Sequence, residues 1–314
     1  MTKYIARRLV ATIPVLILIS AITFFAIRLL PGDPAIALLG PEADLNLLEA
    51  LREEMGLNKN VVVQYFEWIG NAFQGDFGES RRSGDTVTAL VRDRLEVTIE
   101  LGILSLILAV VIAVPIGLLA GSRPNTPFDY LGTLFAVLGA AIPNFWLALV
   151  LILIFAVELG WFPALGFTSF RDDPVENLRG MLLPAVAIGV AQAAILARQT
   201  RAAMVEVLQQ DYVRTARAKG LRERNVIIRH GFRNALIPVV TVLGLQISNV
   251  IGGAIIIESV FSLPGVGKLL IDSIFNRELV TVQALALMLA VSVALSNLLV
   301  DVSYAYLDPR IRYD

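Results

Sequence analysis

Residues 206–238 read EVLQQDYVRTARAKGLRERNVIIRHGFRNALIP, a polar, basic segment between two long apolar runs. It carries seven Lys/Arg, with Arg198 and Arg201 just before it, in a 314-residue chain whose net charge is −1. Lys and Arg between membrane spans are retained on the cytoplasmic side, so the segment is expected inside the cell. Ala216, Ala218 and Gly220 close a predicted helix, and a second short helix is expected from about Arg222 to His230. Small residues let another backbone approach closely. Gly220 can take the left-handed conformation that ends one helix and turns the chain into the next. The stretch 206–234 therefore reads as a compact helical elbow, shaped to be gripped by a partner.

The apolar runs around it set the class. Hydrophobic residues make up 56% of the chain, and the mean hydropathy is +0.72, well above an ordinary soluble domain. Six runs approach the roughly 18–20 apolar residues that cross a bilayer. They are Leu9 to Leu30, Ile99 to Ala120, Leu131 to Val157, Met181 to about Thr200, Ala235 to Ile257 and Val280 to Tyr306. The fold class is all-α, with six transmembrane helices. The division is 1–30 for the N-terminus and first span, 31–96 for an extracytoplasmic insertion, and 97–314 for a five-helix core that includes 206–234.

With no cysteine and a single histidine, His230, the chain offers no disulfide, no thiolate metal site and no His-based cluster. Lys3, Arg7 and Arg8 followed by an apolar run could begin a signal peptide. The run is too long for that, and RLLPGDP (Arg28 to Pro34) is not a cleavage site, so an uncleaved first span is expected. If the N-terminus is inside, the four inner segments hold fifteen Lys/Arg and the longer outer ones ten. Both termini are then cytoplasmic.

Segment 31–96 has twelve acidic and six basic residues. LNLLEALREEMGL reads as an amphipathic helix on Leu45, Leu48, Leu51 and Met55, stopped by Gly56. VVVQYFEWIGNAF reads as another, and GDFGES (Gly75 to Ser80) as a turn. SLPGVGK (Ser262 to Lys268) superficially suggests a phosphate loop. Ser262 stands where the first glycine should be and Leu269 where a Ser/Thr should follow the Lys, so nucleotide binding is not expected there.

Polar residues within spans are costly and often mark a pathway. For any one, interhelical hydrogen bonding worth about 0.6–2 kcal/mol is the plainer reading. As a set, Asn144 beside Pro143, Gln246 and Asn249 are the candidates for a translocation path. Gln246 and Asn249 are three apart and are expected to share a helix face. Glu100, Glu258 and Asp301 lie near span ends, where carboxylates reach headgroup water. Gly117 and Gly121 form a GxxxG pair that suggests close packing.

Residues Tyr212 to Gly220, then Arg229, His230 and Arg233 to Pro238, resemble the coupling loop of ABC importer membrane subunits. The likeness is to the B-type permease of the dipeptide/oligopeptide/nickel importers. Arg214 stands where the general importer signature has Glu, and its proline is missing near Phe232 and Arg233. Both departures resemble the B-type half. Phe261, Pro264, Gly265, Gly267 and Leu269 match the family's outer segment before the last span. NLLVDVSYAYLDPRIRY (Asn297 to Tyr313) matches its ending, and Tyr65, Trp68, Gly75, Asp76, Gly78 and Ser80 match its outer insertion.

The resemblance implies a non-catalytic subunit forming half of a peptide path. It implies that Tyr212, Arg214, Ala216, Ala218, Lys219, Gly220, Leu221 and Arg224 meet cytoplasmic ATPases. It implies that Tyr65, Trp68, Asp76 and Ser80 face an external binding protein, the alternative being an outer loop that only packs on the spans. The implied partners are a second homologous permease, one or two ABC ATPases carrying ATP and Mg, the substrate-binding protein and the bilayer, with no nucleic acid. No cofactor is expected on this chain. The implied place is the cytoplasmic membrane of a bacterium or archaeon. Nickel, glutathione or short oligosaccharides are alternative substrates. An intramembrane enzyme would need clustered acids, His or Ser/Lys pairs. A secondary carrier would need mid-membrane charges and often an internal repeat. Neither pattern is present.

Overall fold

The N-terminal apolar run forms α1 (Thr2–Arg28) in a computed structural model that describes residues 2–28, 34–40, 43–54 and 56–307. RLLPGDP falls largely outside the described residues, as does the chain after Leu307. The described chain is helical, and an isolated bridge, Glu79 to Thr86, closes a turn. Two compact units are present. One comprises Val97–Lys268 and the chain from Ser296, the other Thr2–Glu96 and Leu269–Leu295.

In the second unit α2 (Pro34–Leu39) and α3 (Leu45–Glu54) pack around Ala35 and Leu48. Leu45, expected on that face, is exposed. Met55 and the Leu51 side chain lie outside what is described. Gly56, at φ +64°, ends α3 as expected. α4 (Val61–Phe73) starts where Asn60 Oδ1 accepts the Val62 N–H at 2.9 Å. The GDFGES turn needs Gly75 and Gly78, both at positive φ, and Asp76 Oδ1 accepts the Gly78 N–H at 2.9 Å.

α5 (Val87–Ser122) is one continuous helix, so the second span begins twelve residues before the apolar run at Ile99. Nothing in 87–98 breaks a helix, since neither Gly nor Pro occurs there. α6 (Pro127–Ala141) and α7 (Asn144–Leu151) are followed by a π-helical segment, Ile152–Glu158. The third run was expected to be one helix. It is instead a pair bent by 100°. Pro143 has no N–H and pushes Ile142 into an extended conformation, φ −76° and ψ 122°.

α8 (Pro174–Leu208) is capped by Asp173, whose Oδ1 accepts the N–H groups of Val175 and Glu176 at 3.0 Å. Some 67% of its apolar window is buried, against at most 28% for the other candidate spans, so α8 is the central helix. The bent pair runs its length. Asp129 of α6 meets Arg201 near one end, and beyond α7 the Trp161 and Thr168 carbonyls accept from Arg179 and Asn177 near the other, each at 2.8 Å. α9 (Asp211–Ala218) and α10 (Glu223–Asn225) follow. A π-helical turn, Val226–Phe232, joins α10 to α11 (Arg233–Val260) without a break. The second short helix is thus the start of the fifth apolar helix, because no helix breaker stands between Arg222 and His230. Among the described residues, five helices are long and apolar enough to cross a membrane, and six elements are if the bent pair counts as one.

α12 (Val266–Phe275) and α13 (Leu279–Leu307) complete the chain. Glu258 is not in headgroup water as expected but fully buried. Thr98 Oγ1 donates to its Oε1 at 2.7 Å, the Lys268 N–H donates to Oε2 at 3.0 Å, and Val266 N–H donates to Thr98 Oγ1 at 2.9 Å. The first turn of α12 thus spends its free N–H groups on an acid of the chain itself. A Cβ at Gly265 would overlap that carboxylate, and one at Gly267 would lie 2.9 Å from Oε2. The glycines of SLPGVGK make room for Glu258, not for a phosphate. The Asp301 side chain is outside what is described.

Candidate coupling site on the basic elbow

The elbow folds on a small core. Val213 and Ala216, one turn apart on α9, pack with Val226 and Leu208. Ala216, expected to meet a partner, is therefore buried inside the elbow. A small residue at helical spacing from Val213 serves the internal seam as well as it would a partner's approach.

α9 ends as Gly220 requires. Gly220 has φ +75°; its N–H donates to the Arg217 carbonyl at 2.9 Å, and Leu221 N–H donates to the Ala216 carbonyl at 3.4 Å. These paired bonds form a Schellman motif, which satisfies carbonyls at the helix end. A Cβ on Gly220 would meet nothing within 4 Å, so its outer side is open. Arg214, Ala218, Lys219, Gly220, Leu221 and Arg224 are exposed together.

Tyr212 is only partly available. Its hydroxyl accepts from Asn234 Nδ2 at 2.9 Å and donates to the His230 carbonyl at 3.4 Å, bracing α9 against the start of α11. Arg217 Nη2 donates to Glu223 Oε1 at 2.8 Å across the turn. That bond holds the Arg217 guanidinium still more firmly protonated than usual. Both side chains are exposed, so the pair sets geometry more than stability. No periodic signal marks the roles of Asn234 and Glu223, since pairs across a turn leave none.

The three path candidates separate. Gln246 is 2% exposed and its Nε2 donates to the Gln192 carbonyl of α8 at 3.0 Å. Asn249 is exposed. Three residues apart leaves the two about 60° apart around the helix, so Gln246 sits in the α8 seam and Asn249 lies at its exposed edge. Asn144, half-buried at the break, lies close to Gly253. The side-chain oxygens of Gln192 and Gln246 are buried without a hydrogen-bond partner among the described residues, a state buried polar groups rarely keep.

The outer candidates are mostly spent on internal packing. Tyr65 shares a hydrogen bond with Ser20 at 2.8 Å and stacks on Phe25 of α1, and Trp68 lies against Phe24. Ser80 is buried and donates to Glu278 Oε2 at 2.5 Å. These three brace the outer segment; Tyr65 and Trp68 stay half-buried and Ser80 is buried. Aromatic and hydroxyl side chains on a short outer helix satisfy themselves first against the neighbouring apolar span. Asp76 alone of the four is exposed.

Residues 113–313 match a family described as binding-protein-dependent transport system inner membrane component, and residues 1–102 match the N-terminal part of such components. The chain belongs to this family. It is a multi-pass membrane permease component and not an enzyme. The oligopeptide transport system permease protein AppB of Bacillus subtilis is 42% identical over 316 residues, covering all of both chains. A putative peptide transport system permease of Brucella abortus is 41% identical over 314 residues, and the glutathione transport system permease GsiC of Escherichia coli K12 is 42% identical over 313, each covering all of both chains. A crystal structure of an amino acid ABC transporter shares the permease's fold with a TM-score of 0.54 at 16% identity, covering 70% of this chain and 94% of that one.

Proposed function

We propose that the chain is one half of the translocation path of an ATP-driven peptide importer in a bacterial or archaeal cytoplasmic membrane. The observation that carries this is the elbow, which leaves Arg214, Ala218, Lys219, Gly220, Leu221 and Arg224 on an open surface. Cytoplasmic ABC ATPases, as one or two gene products holding ATP and Mg, close on that surface and rock the subunit. A second, homologous permease supplies the other half of the path. An external binding protein delivers substrate, with Asp76 left as the exposed member of the outer set. Asn144, Gln246 and Asn249 remain the path candidates. The unpaired oxygens beside Gln246 and the broken helix at Asn144 support that reading, because irregular backbone at membrane depth is tolerated where it lines a cavity or is covered by protein.

Peptides lead as substrate because relatives of like identity are named for oligopeptide and glutathione transport. Glutathione, nickel and short oligosaccharides are the alternatives. The basic loop supports an orientation with the elbow and both termini inside. The test is reconstitution. Liposomes with the second permease, the ATPases and the binding protein should import labelled peptide on ATP. This chain alone should neither hydrolyse ATP nor transport. Transport by the chain alone would overturn the half-path reading.

A further inference from the structure

We propose that Asp129 and Arg201 are a positioning pair that carries displacement of the elbow into α6, the helix that ends at the Pro143 break. The inference rests on the coupling reading above and adds the route by which force leaves the elbow. Asp129 stands in the first turn of α6 and is 3% exposed. Arg201 grips it with two nitrogens: Nε donates to Oδ1, and Nη2 donates to Oδ2 at 2.9 Å. The Asn125 N–H also donates to Oδ2 at 2.9 Å, from a residue held at φ +62°.

Such a planar, two-pronged joint fixes orientation as well as distance. A buried ion pair is weak evidence for stability, since desolvation offsets its attraction. Its location gives it a mechanical role. On the same stretch of α8, a Cβ on Gly121 of α5 would meet Met204 Cβ at 2.6 Å and the Arg201 carbonyl at 2.7 Å, so α5 and α8 are seated directly on each other. Met204 packs with Ala203, Ala235, Leu208 and Phe232. Leu208 in turn lies on Val213 and Ala216 of α9. Contact is therefore continuous from the elbow through Leu208 and Met204 to Arg201, and Asp129 adds to the packing of α6 on α8 its one described ion-paired joint.

The experiment uses the complete importer in liposomes, with three variants: Arg201→Lys, which keeps the charge and loses the fork; Asp129→Asn; and the swap of Asp129→Arg with Arg201→Asp. Peptide transported per ATP hydrolysed should fall about tenfold in the first two, within the usual range of coupling free energies, and should recover in the swap. Because the chain has no cysteine, spin labels at Leu134→Cys on α6 and Thr215→Cys on α9 report the link directly. In an otherwise wild-type importer their separation should stay fixed as ATP binds, and in Arg201→Lys it should shift. If Asp129→Asn fails to insert, Arg201→Lys and the wild-type distance still decide. An unchanged ratio in Arg201→Lys, or a wild-type distance that shifts with ATP, overturns the proposal. So does transport that falls only in step with the amount of assembled complex. Gly220→Val, measured alongside, separates the two levels: should it leave both the ratio and ATPase pull-down at wild-type values, the coupling reading itself fails.

Discussion

Gly220 joins sequence to function through one dihedral angle. At φ +75° a β-branched side chain costs roughly 1–2 kcal/mol of backbone energy. Its outer side is open, so the added bulk of Gly220→Val would strike a partner and not this chain. ATPase association should weaken, or hydrolysis should uncouple from transport, while the permease still inserts and pairs. Pull-down of the ATPases and the transport ratio check this; wild-type values in both would refute it. The turn was legible because a positive-φ demand is local and Gly after Ala-Lys at a helix end advertises it. Ala216 was misread because small size signals close approach without saying to what. Glu258 was misread because its cradle is built from Thr98, far away in sequence, and from α12.

At the scale of elements, the length of the apolar runs located the five long apolar helices among the described residues, because crossing a bilayer takes about twenty such residues. The break at Ile142–Pro143 was visible as a proline, but a lone proline does not state whether a membrane helix kinks or turns by 100°. Helix seams were half legible. The spacing of Gly117 and Gly121 announced a close contact, and the structure supplies α8 as its partner, with Gly117 against Thr200 and Ala197. Gly121→Ala should therefore push α5 from α8 and destabilise the permease by about 1–3 kcal/mol, the usual effect of overpacking. Gly252→Ala on α11, where a Cβ meets nothing within 4 Å, is the control and should be near neutral. Thermal unfolding of the purified importer in detergent compares them; equal midpoints would show that the seam is loose.

The whole molecule makes one claim that labelling can decide. Ser83 and Gln209 are both exposed, and the basic-residue count puts them on opposite sides of the membrane. In intact cells, an impermeant thiol reagent should label Ser83→Cys and spare Gln209→Cys until the cells are opened. The reverse pattern would invert the orientation. The Glu258 cradle also has a consequence for biogenesis. Glu258 stands ten residues before Lys268, whose N–H it accepts. A chain that stopped short of Lys268 would leave this acid with Thr98 but without the amide that receives it. A polypeptide ending at Ser262 should remain open to protease at its outer edge, whereas one ending at Asn276 should resist. The fifth span is completed, on this view, by the two glycines beyond it that leave room for its acid.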